Sequence, residues 1–330
     1  MRKIKILILM LVALFITACQ NQKPQVVIYT AAEDYRISDM QEQLRLEYPE
    51  INVIIESFSS SELFTKLNAE GEDTICDIVF DIEYLNAQIL AKQDLFTTLN
   101  DYDTSAFVDD TVVLMNGNIY FLPEYKNGGA IIVNKKVLQE KNLPIPATYA
   151  DLIRPEYKGL ITMPNPQASG TGYMFYLAWA NQFGTQGVMD YVEELSKNIF
   201  EFTSSGSKPV TYLTLEEAGI ALGMTGNAVT KINEDNSDLQ IIIPDGGSPY
   251  CLYGYSMIKG KEDNTSVRIV FDYIYNEYIE RNNERFYPER IYQERDYTSQ
   301  MPNFPQNIEY ADMSNYDIAT KEMLLEKWGY

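Results

Sequence analysis

The segment QVVIYTAAEDYRISDMQEQLRLEYPEINVIIESF, residues 25–58, encodes a strand, a helix and a second strand in turn. Its first six residues are mostly apolar and predict a buried strand. Apolar side chains then recur at the spacing of one helix face, at Ile37, Met40, Leu44 and Tyr48. Pro49 ends that helix, and alternating apolar residues over 51–55 predict the second strand. Such a unit indicates an α/β fold with a mostly parallel sheet covered on both faces.

The same alternation continues along the chain. Ser59 and Glu62 form a capping box at the start of the next helix. Further strands are predicted at 77–80, 130–134, 160–163, 200–203, 239–244 and 252–259, and helices at 84–92, 173–182, 189–197, 210–218, 267–281 and 319–328. Because ligands of such sheets bind at the carboxyl ends of the strands, the first candidate ligand-binding residues are Thr30, Ala31, Ser60, Ser61 and Asp81.

The N-terminus is typical of an exported protein. Basic residues precede an apolar run over 6–16, which is too short to span a membrane, and residues 1–18 are therefore predicted to be a signal peptide. The residues Ile16 to Cys19 resemble a bacterial lipobox, so we expect Cys19 to be lipidated and 19–25 to form a tether. The protein would then be anchored to the outer face of the cell membrane or lie in the periplasm. An ordinary signal peptide that happens to contain a cysteine is the alternative.

Composition excludes several classes of partner and enzyme. The chain has 26 basic and 47 acidic residues, a net charge of −21, which argues against nucleic acid as a partner. The acidity would attract a cationic solute, or it serves only solubility. Beyond the predicted lipidation site there are two cysteines, Cys76 and Cys251, and the sequence leaves open whether they pair.

The chain contains no histidine. This absence excludes Ser-His-Asp and Cys-His catalytic arrangements and HExxH zinc sites. Phosphate-binding and dinucleotide-binding glycine motifs are absent as well. A carboxylate pair for glycoside hydrolysis is compatible with 47 acids but not indicated by them. We therefore predict no enzyme, no catalytic residue, no cofactor and no bound metal.

A series of motifs resembles one family over essentially the whole chain after residue 18. In order they are VVIYTAAEDY, FSSSELFTKL, DIVFD, ATYADLIRPEYKGLITMPNPQASGTGY, SGSKPV and IIPDGGSPYCLYGYSMIKG. They resemble the solute-binding lipoproteins of bacterial ABC importers, in the branch that binds ferric iron, 2-aminoethylphosphonate and hexose phosphates. The resemblance implies a small-molecule solute, a membrane permease as partner and a monomeric receptor.

The resemblance also implies a type II periplasmic-binding-protein fold, with two α/β lobes and a ligand cleft between them. Residues 26–125 plus 246–330 would form lobe 1, and 126–245 would form lobe 2. The chain would cross between lobes near 125–130 and 244–248, where paired glycines permit backbone rotation.

Two short segments are candidate anion sites. Ser169, Gly170 and Thr171, and likewise Ser205, Gly206 and Ser207, combine hydroxyls and glycine with the start of a predicted helix. Lys208 would add a positive charge, and the turn at 59–61 would be a third site across the cleft. The alternative is that all three are ordinary helix N-caps.

Iron is the second hypothesis for the solute. Ferric binders of this branch place two adjacent tyrosines after the helix that corresponds to 215–221, whereas this chain has Met224 and Thr225 there and no Tyr-Tyr pair. Tyr250 and Tyr253 remain candidates for the cleft, as phenolates or through packing. Together with Tyr29, Tyr35 and Asp81 they would also suit a polyamine or another cation. The expected function is a receptor for a phosphonate or phosphate ester, with iron and polyamine receptors and a secreted hydrolase as rivals.

Overall fold

A computed structural model describes residues 23–330 except 116, 118, 236, 237 and 296. The predicted signal peptide, Cys19 and most of the predicted tether lie outside the described residues. The described chain forms one mixed sheet of nine strands. The strands are β1 (Gln25–Thr30), β2 (Asn52–Ser57), β3 (Ile78–Glu83), β4 (Leu122–Asn134), β5 (Ile161–Pro164), β6 (Ile199–Thr203), β7 (Ile220–Met224), β8 (Leu239–Ile242) and β9 (Tyr250–Met257).

Helices connect and cover these strands. They are α1 (Asp34–Glu47), α2 (Ser60–Glu70), α3 (Tyr84–Lys92), α4 (Asp109–Met115), α5 (Lys135–Glu140), α6 (Gly170–Ser196), α7 (Lys208–Thr214), α8 (Thr225–Asp235), α9 (Thr265–Tyr273), α10 (Ile279–Arg285) and α11 (Ile318–Glu326). A single π-helical turn, Ile274–Tyr278, joins α9 to α10. Among the described residues, no helix combines the length and the apolar character that crossing a membrane requires.

The strand order is β2-β1-β3-β9-β4-β7-β5-β6, and β8 pairs with β4. β1 is parallel to β2 and β3, and β5 is parallel to β6 and β7. The prediction of a mostly parallel sheet is wrong for its centre, because β9 is antiparallel to β3 and β4, and β4 is antiparallel to β7 and β8. β8 pairs with residues 131–134 of β4 and β9 with residues 122–128, so the chain continues from β8 to β9 along β4 in one antiparallel direction and needs no crossover helix.

The 13-residue strand β4 joins the two parts of the sheet. Residues 122–128 pair with β9, and residues 129–134 pair with β7 and β8. The sequence predicted a strand only from residue 130, because the preceding PEYKNGG is polar and glycine-rich, yet every residue of β4 is buried. At the transition, a Cβ on Gly129 would lie 2.7 Å from side-chain atoms of Met174 and Phe175, so only glycine fits there.

Two further predictions of local structure need correction. The helix predicted at 210–218 ends at Thr214, and Glu216 has a left-handed φ of 60°, which terminates it. The segment 220–224 that follows is a buried strand, where the sequence was interpreted as a helix over 215–221. The two helices predicted at 173–182 and 189–197 are confirmed, because α6 is interrupted between them at Gly184, whose φ of 76° and ψ of 166° are not helical.

The two cysteines do not pair. Cys76 and Cys251 are both buried with free thiols. Burial raises the pKa of each thiol above its ordinary value, so both are held protonated. They pack as small apolar side chains in the main core.

Candidate ligand-binding site

A cavity of about 770 Å³ opens between elements from both parts of the sheet. Its wall includes the residues that follow β1, the second half of β3, the first turns of α2, α6 and α8, the turn before α7, and α11. Eleven predicted site residues line it: Ala31, Ser60, Ser61, Asp81, Ser169, Gly170, Thr171, Ser205, Gly206, Ser207 and Tyr253. The structure therefore brings together, around one space, segments that lie far apart in sequence.

Lys208 is not on this wall. Its ammonium group pairs with the Glu201 carboxylate at 2.9 Å and lies 5.1 Å from the ring centroid of Tyr212. Lys208 is the first residue of α7, and its side chain turns back along β6 to Glu201 rather than into the cavity. The positive charge of Lys208 is therefore paired with Glu201, and it does not face the cavity as the sequence predicted.

Three other predicted residues also lie off the wall: Thr30, Thr225 and Tyr250. Thr30 is buried, and its hydroxyl accepts a hydrogen bond of 3.0 Å from the Ala32 N–H. Thr225 is fully buried. The hydroxyl of Tyr250 donates to the Asp110 carbonyl at 3.3 Å, which points it away from the cavity.

Residues 169–171 and 205–207 form one surface, which we call the donor end of the cavity. A Cβ placed on Gly206 would lie 2.5 Å from Thr171 Oγ1 and 3.3 Å from Ser169 Oγ, so the two turns touch. The first backbone bond of α6 runs from Tyr173 N to Ser169 O, 3.0 Å, and the N–H groups of 170–172 precede it. Within this fully described helix, the Ser169 side chain makes no capping hydrogen bond. The donor end therefore presents hydroxyls, free N–H groups and the positive end of a helix dipole.

The turn at 59–61 differs from the donor end. Ser59 Oγ accepts a hydrogen bond from Glu62 N, and the Glu62 carboxylate accepts one of 2.9 Å from Ser59 N. The predicted capping box is therefore confirmed. Hydrogen bonds from the Ser59 backbone and hydroxyl lower the pKa of Glu62 and favour its ionised form. A negative charge at this turn makes it a poor anion site, and for Ser59 the N-cap interpretation holds.

Three stacked tyrosine rings form a second surface of the cavity, which together with Glu33 and Asp81 we call the aromatic end. Tyr125 stacks on Tyr253 with centroids 5.1 Å apart and on Tyr287 with centroids 3.8 Å apart. The hydroxyl of Tyr125 donates to Asp81 at 3.0 Å, and that of Tyr287 donates to Glu33 at 2.6 Å. Tyr125 and Tyr287 are not among the site residues predicted from the sequence, because both lie in stretches without a strand or helix pattern.

A buried arginine lies behind the aromatic end. The guanidinium of Arg36 donates to Asp81 at 2.9 Å, to Glu33 at 3.0 Å and to Asn282 at 3.0 Å. It also forms an ion pair with Glu124, a residue of β4 that is fully buried. The Arg36 guanidinium therefore contacts three carboxylates. The sequence gives no sign of this role, because Arg36 reads there as one of several polar residues of an amphipathic helix.

Burial and charge shift the pKa values of this cluster in opposite directions. Burial alone would lower the pKa of Arg36, but Glu124 and Asp81 outweigh it and hold the pKa well above its usual value. Burial raises the pKa of Glu124 well above that of a free glutamate, and Arg36 offsets only part of the rise. The guanidinium of Arg36 is therefore held charged, and burial of Glu124 opposes the ionised form that its ion pair with Arg36 favours.

The stacked phenols are held neutral. Burial raises the pKa of Tyr125, Tyr253 and Tyr287 well above the ordinary value of a tyrosine. Neutral rings offer flat surfaces for stacking and for attraction of a cation. Within the described part of the chain, no cluster of three or more Asp, Glu, His or Cys side chains is arranged to hold a metal ion.

The family of bacterial extracellular solute-binding proteins matches residues 73–309, well over half of the chain. The chain belongs to this family. It is accordingly an exported protein that binds a small-molecule solute, and the family predicted from the sequence motifs is confirmed.

A protein of Haemophilus influenzae described only as uncharacterised is 28% identical over 130 residues, 39% of this chain and 37% of the relative. This chain thus matches little more than a third of that relative's length. Among solved structures, AfuA from Actinobacillus pleuropneumoniae with exogenous fructose-6-phosphate bound has a TM-score of 0.74 and 20% identity, over 93% of this chain and 98% of that one. The ferric binding protein from Campylobacter jejuni has a TM-score of 0.74 and 16% identity, over 92% and 98%.

At these identities the likeness shows the fold alone. The fold is the two-lobed α/β fold of the periplasmic binding proteins, which confirms the predicted fold class. The lobe boundaries and the ligand-binding residues remain predictions.

Proposed function

We propose that the protein is the receptor of an ABC importer and captures a small organic anion, a phosphate ester or a phosphonate, in the 770 Å³ cavity. The observation that carries this proposal is the contact between residues 169–171 and 205–207 at the start of α6. Converging hydroxyls and unpaired N–H groups at a helix N-terminus bind oxyanions without a metal. A solute-binding receptor needs no covalent step, because ligand binding itself shifts the equilibrium towards a closed cleft.

The aromatic end indicates which chemical groups the rest of the ligand carries. Neutral stacked rings beside Asp81 and Glu33 suit an amine, a flat ring or the hydroxyls of a sugar. A ligand with an oxyanion at one end and an amine or sugar at the other would satisfy both ends. 2-Aminoethylphosphonate and hexose 6-phosphates have this form, and the similar protein AfuA holds fructose-6-phosphate.

The site of action follows from the N-terminal prediction. Lipidation at Cys19 would anchor the receptor next to its permease on the outer face of the membrane or in the periplasm. A monomeric receptor is sufficient, since both ends of the cavity come from one chain. Radiolabelled palmitate incorporated by the wild-type chain and lost in Cys19→Ser tests the anchor.

Calorimetry on the purified, ligand-stripped protein tests the choice of solute. The probes are 2-aminoethylphosphonate, glucose 6-phosphate, spermidine and ferric citrate. We expect saturable binding of at least one of the first two, together with thermal stabilisation that follows ligand concentration. Binding of spermidine alone or of ferric citrate alone would overturn the anion assignment.

A cation receptor is the second candidate, because the acids and stacked rings of the aromatic end would suit a polyamine. It ranks below the anion receptor because Asp81 is already paired with Arg36, and Glu33 accepts from both Arg36 and Tyr287. An iron receptor ranks lower still, because the neutral phenols of the buried Tyr125 and the half-buried Tyr253 and Tyr287 would each have to lose a proton to bind ferric ion.

A further inference from the structure

The C-terminal helix α11 contributes to the cavity. It packs on α3 from one part of the fold and on α6 from the other. Lys321 in its first turn lines the cavity together with Ser169 and Gly170 of the donor end. The sequence predicts a helix at 319–328 but no role for it in ligand binding.

The ammonium group of Lys321 lies close to the start of α6. Its Nζ is 5.4 Å from the ring centroid of Tyr173, which sits in the first turn of that helix. Among the described carboxylates, none lies within 4.0 Å of this Nζ. The nearby Glu83 already accepts hydrogen bonds from the Tyr316 hydroxyl, 2.6 Å, and from Asn86 N–H, 3.3 Å.

The other lysine on the cavity wall, Lys231, is committed. It pairs with Glu234 at 2.7 Å. Lys208, next to the donor end in sequence, pairs with Glu201 at 2.9 Å. Lys321 is thus the lysine of the described cavity wall whose charge has no carboxylate partner within ion-pair distance.

We propose that Lys321 supplies the positive charge that holds the anionic group of the solute, so that the C-terminal helix is part of the binding site. The inference rests on the proposed function and identifies the group that neutralises the ligand. An anion approaching a chain of net charge −21 is repelled unless a local cation offsets the field. An ammonium beside free N–H groups and hydroxyls gives charge-assisted bonds to such a ligand.

The C-terminal segment is held firmly enough to position this lysine. Tyr316 packs on Tyr173 with ring centroids 5.7 Å apart. Beyond α11, the indole of Trp328 lies 5.0 Å from the ring of Tyr176 and 5.4 Å from that of Phe202. The ends of the segment therefore rest on α6 and β6, which flank the donor end.

Three variants test the proposal: Lys321→Met, Lys321→Arg and the control Lys208→Met. The probes are 2-aminoethylphosphonate and glucose 6-phosphate, measured by calorimetry at low and high salt, with spermidine as a cationic probe. We expect Lys321→Met to weaken binding of the anionic probe by about 10- to 100-fold, to remove most of its salt dependence and to leave spermidine binding unweakened. Lys321→Arg should restore part of the affinity, and Lys208→Met should bind like the wild type.

The other outcomes distinguish failure of the role proposed for Lys321 from failure of the proposed function. Equal losses in Lys321→Met and Lys208→Met, or no loss in either, would remove Lys321 from the site while leaving the anion receptor in place. A parallel loss for spermidine would mean that the lysine acts only on the structure. If the wild-type protein binds neither anionic probe, the proposed function itself fails, and the role of Lys321 fails with it.

Discussion

The guanidinium of Arg36 in α1 donates a hydrogen bond of 2.9 Å to the carboxylate of Asp81 in the second half of β3, and both side chains are buried. This hydrogen bond holds the Asp81 side chain, which is part of the aromatic end, in place. Asp81 has a left-handed φ of 59°, a strained conformation for a residue with a side chain, and the bonds from Arg36 and Tyr125 hold it there. A ligand group at this end therefore meets a carboxylate whose position is set before binding.

Replacing Arg36 with Met should destabilise the protein by about 3–5 kcal/mol, because Asp81 and Glu124 would be left buried without a cation. Urea unfolding followed by circular dichroism measures the change. The matched control is Arg281→Met, which breaks the pair with Asp39, where the arginine side chain is 39% exposed. That control should cost about 1 kcal/mol or less. Similar losses in both variants would contradict the buried cluster.

Glu289 should make stability depend on pH. It is buried, accepts bonds from Gly128 N–H at 3.0 Å and from the Tyr310 hydroxyl at 2.9 Å, and burial raises its pKa to about 7. An unfolded glutamate titrates near about 4.3, so between these values the folded state binds more protons than the unfolded state. The free energy of unfolding should therefore fall as pH rises from about 4.5 to 7, by about 3 kcal/mol, and level off above.

Glu289→Gln should lose this slope, since the amide cannot titrate. Glu309→Gln, an exposed acid in the same region, should keep it. Urea midpoints at a series of pH values, compared between the two variants, measure the difference. Parallel pH profiles for wild type and Glu289→Gln would show that folding does not raise the pKa of Glu289.

Local signals in the sequence located elements that depend on local chemistry. The bounds of β1 and α3 match the predicted 25–30 and 84–92, because each is a continuous apolar run or face with clear ends. The capping box at Ser59 is likewise a local pattern of hydroxyl and carboxylate. Glycine and hydroxyl residues before α6 pointed to the donor end for the same reason.

What the sequence missed depends on partners far away in the chain. β4 is strand from Leu122 because β9, more than a hundred residues later, pairs with its polar first half. Lys208 looked like a cleft cation, and only the fold shows Glu201 beside it. Arg36, Tyr125 and Tyr287 meet through tertiary packing alone. No periodicity or spacing encodes such contacts.

Gly206→Ala should weaken anion binding without unfolding the protein. The added methyl would lie 2.5 Å from Thr171 Oγ1 and push the two turns of the donor end apart. We expect a loss of about 1–3 kcal/mol in binding of 2-aminoethylphosphonate or glucose 6-phosphate, the size of one or two lost hydrogen bonds. Gly226→Ala is the matched control, because Gly226 also lines the cavity and its added methyl would meet no atom within 4 Å. Equal affinities in the two variants would show that the donor end does not bind the anion.

The ring of Tyr253, rather than its hydroxyl, should matter for the ligand. Its pKa is raised well above the ordinary value by burial, so a stacking or cation–π role fits better than a phenolate role. Tyr253→Phe keeps the ring and should bind 2-aminoethylphosphonate like the wild type, whereas Tyr253→Ala should lose about 1 kcal/mol. Ferric citrate should produce no phenolate-to-iron absorption band with the wild-type protein. If the band appears and Tyr253→Phe abolishes it, the phenol is a metal ligand and iron replaces the organic anion as the solute.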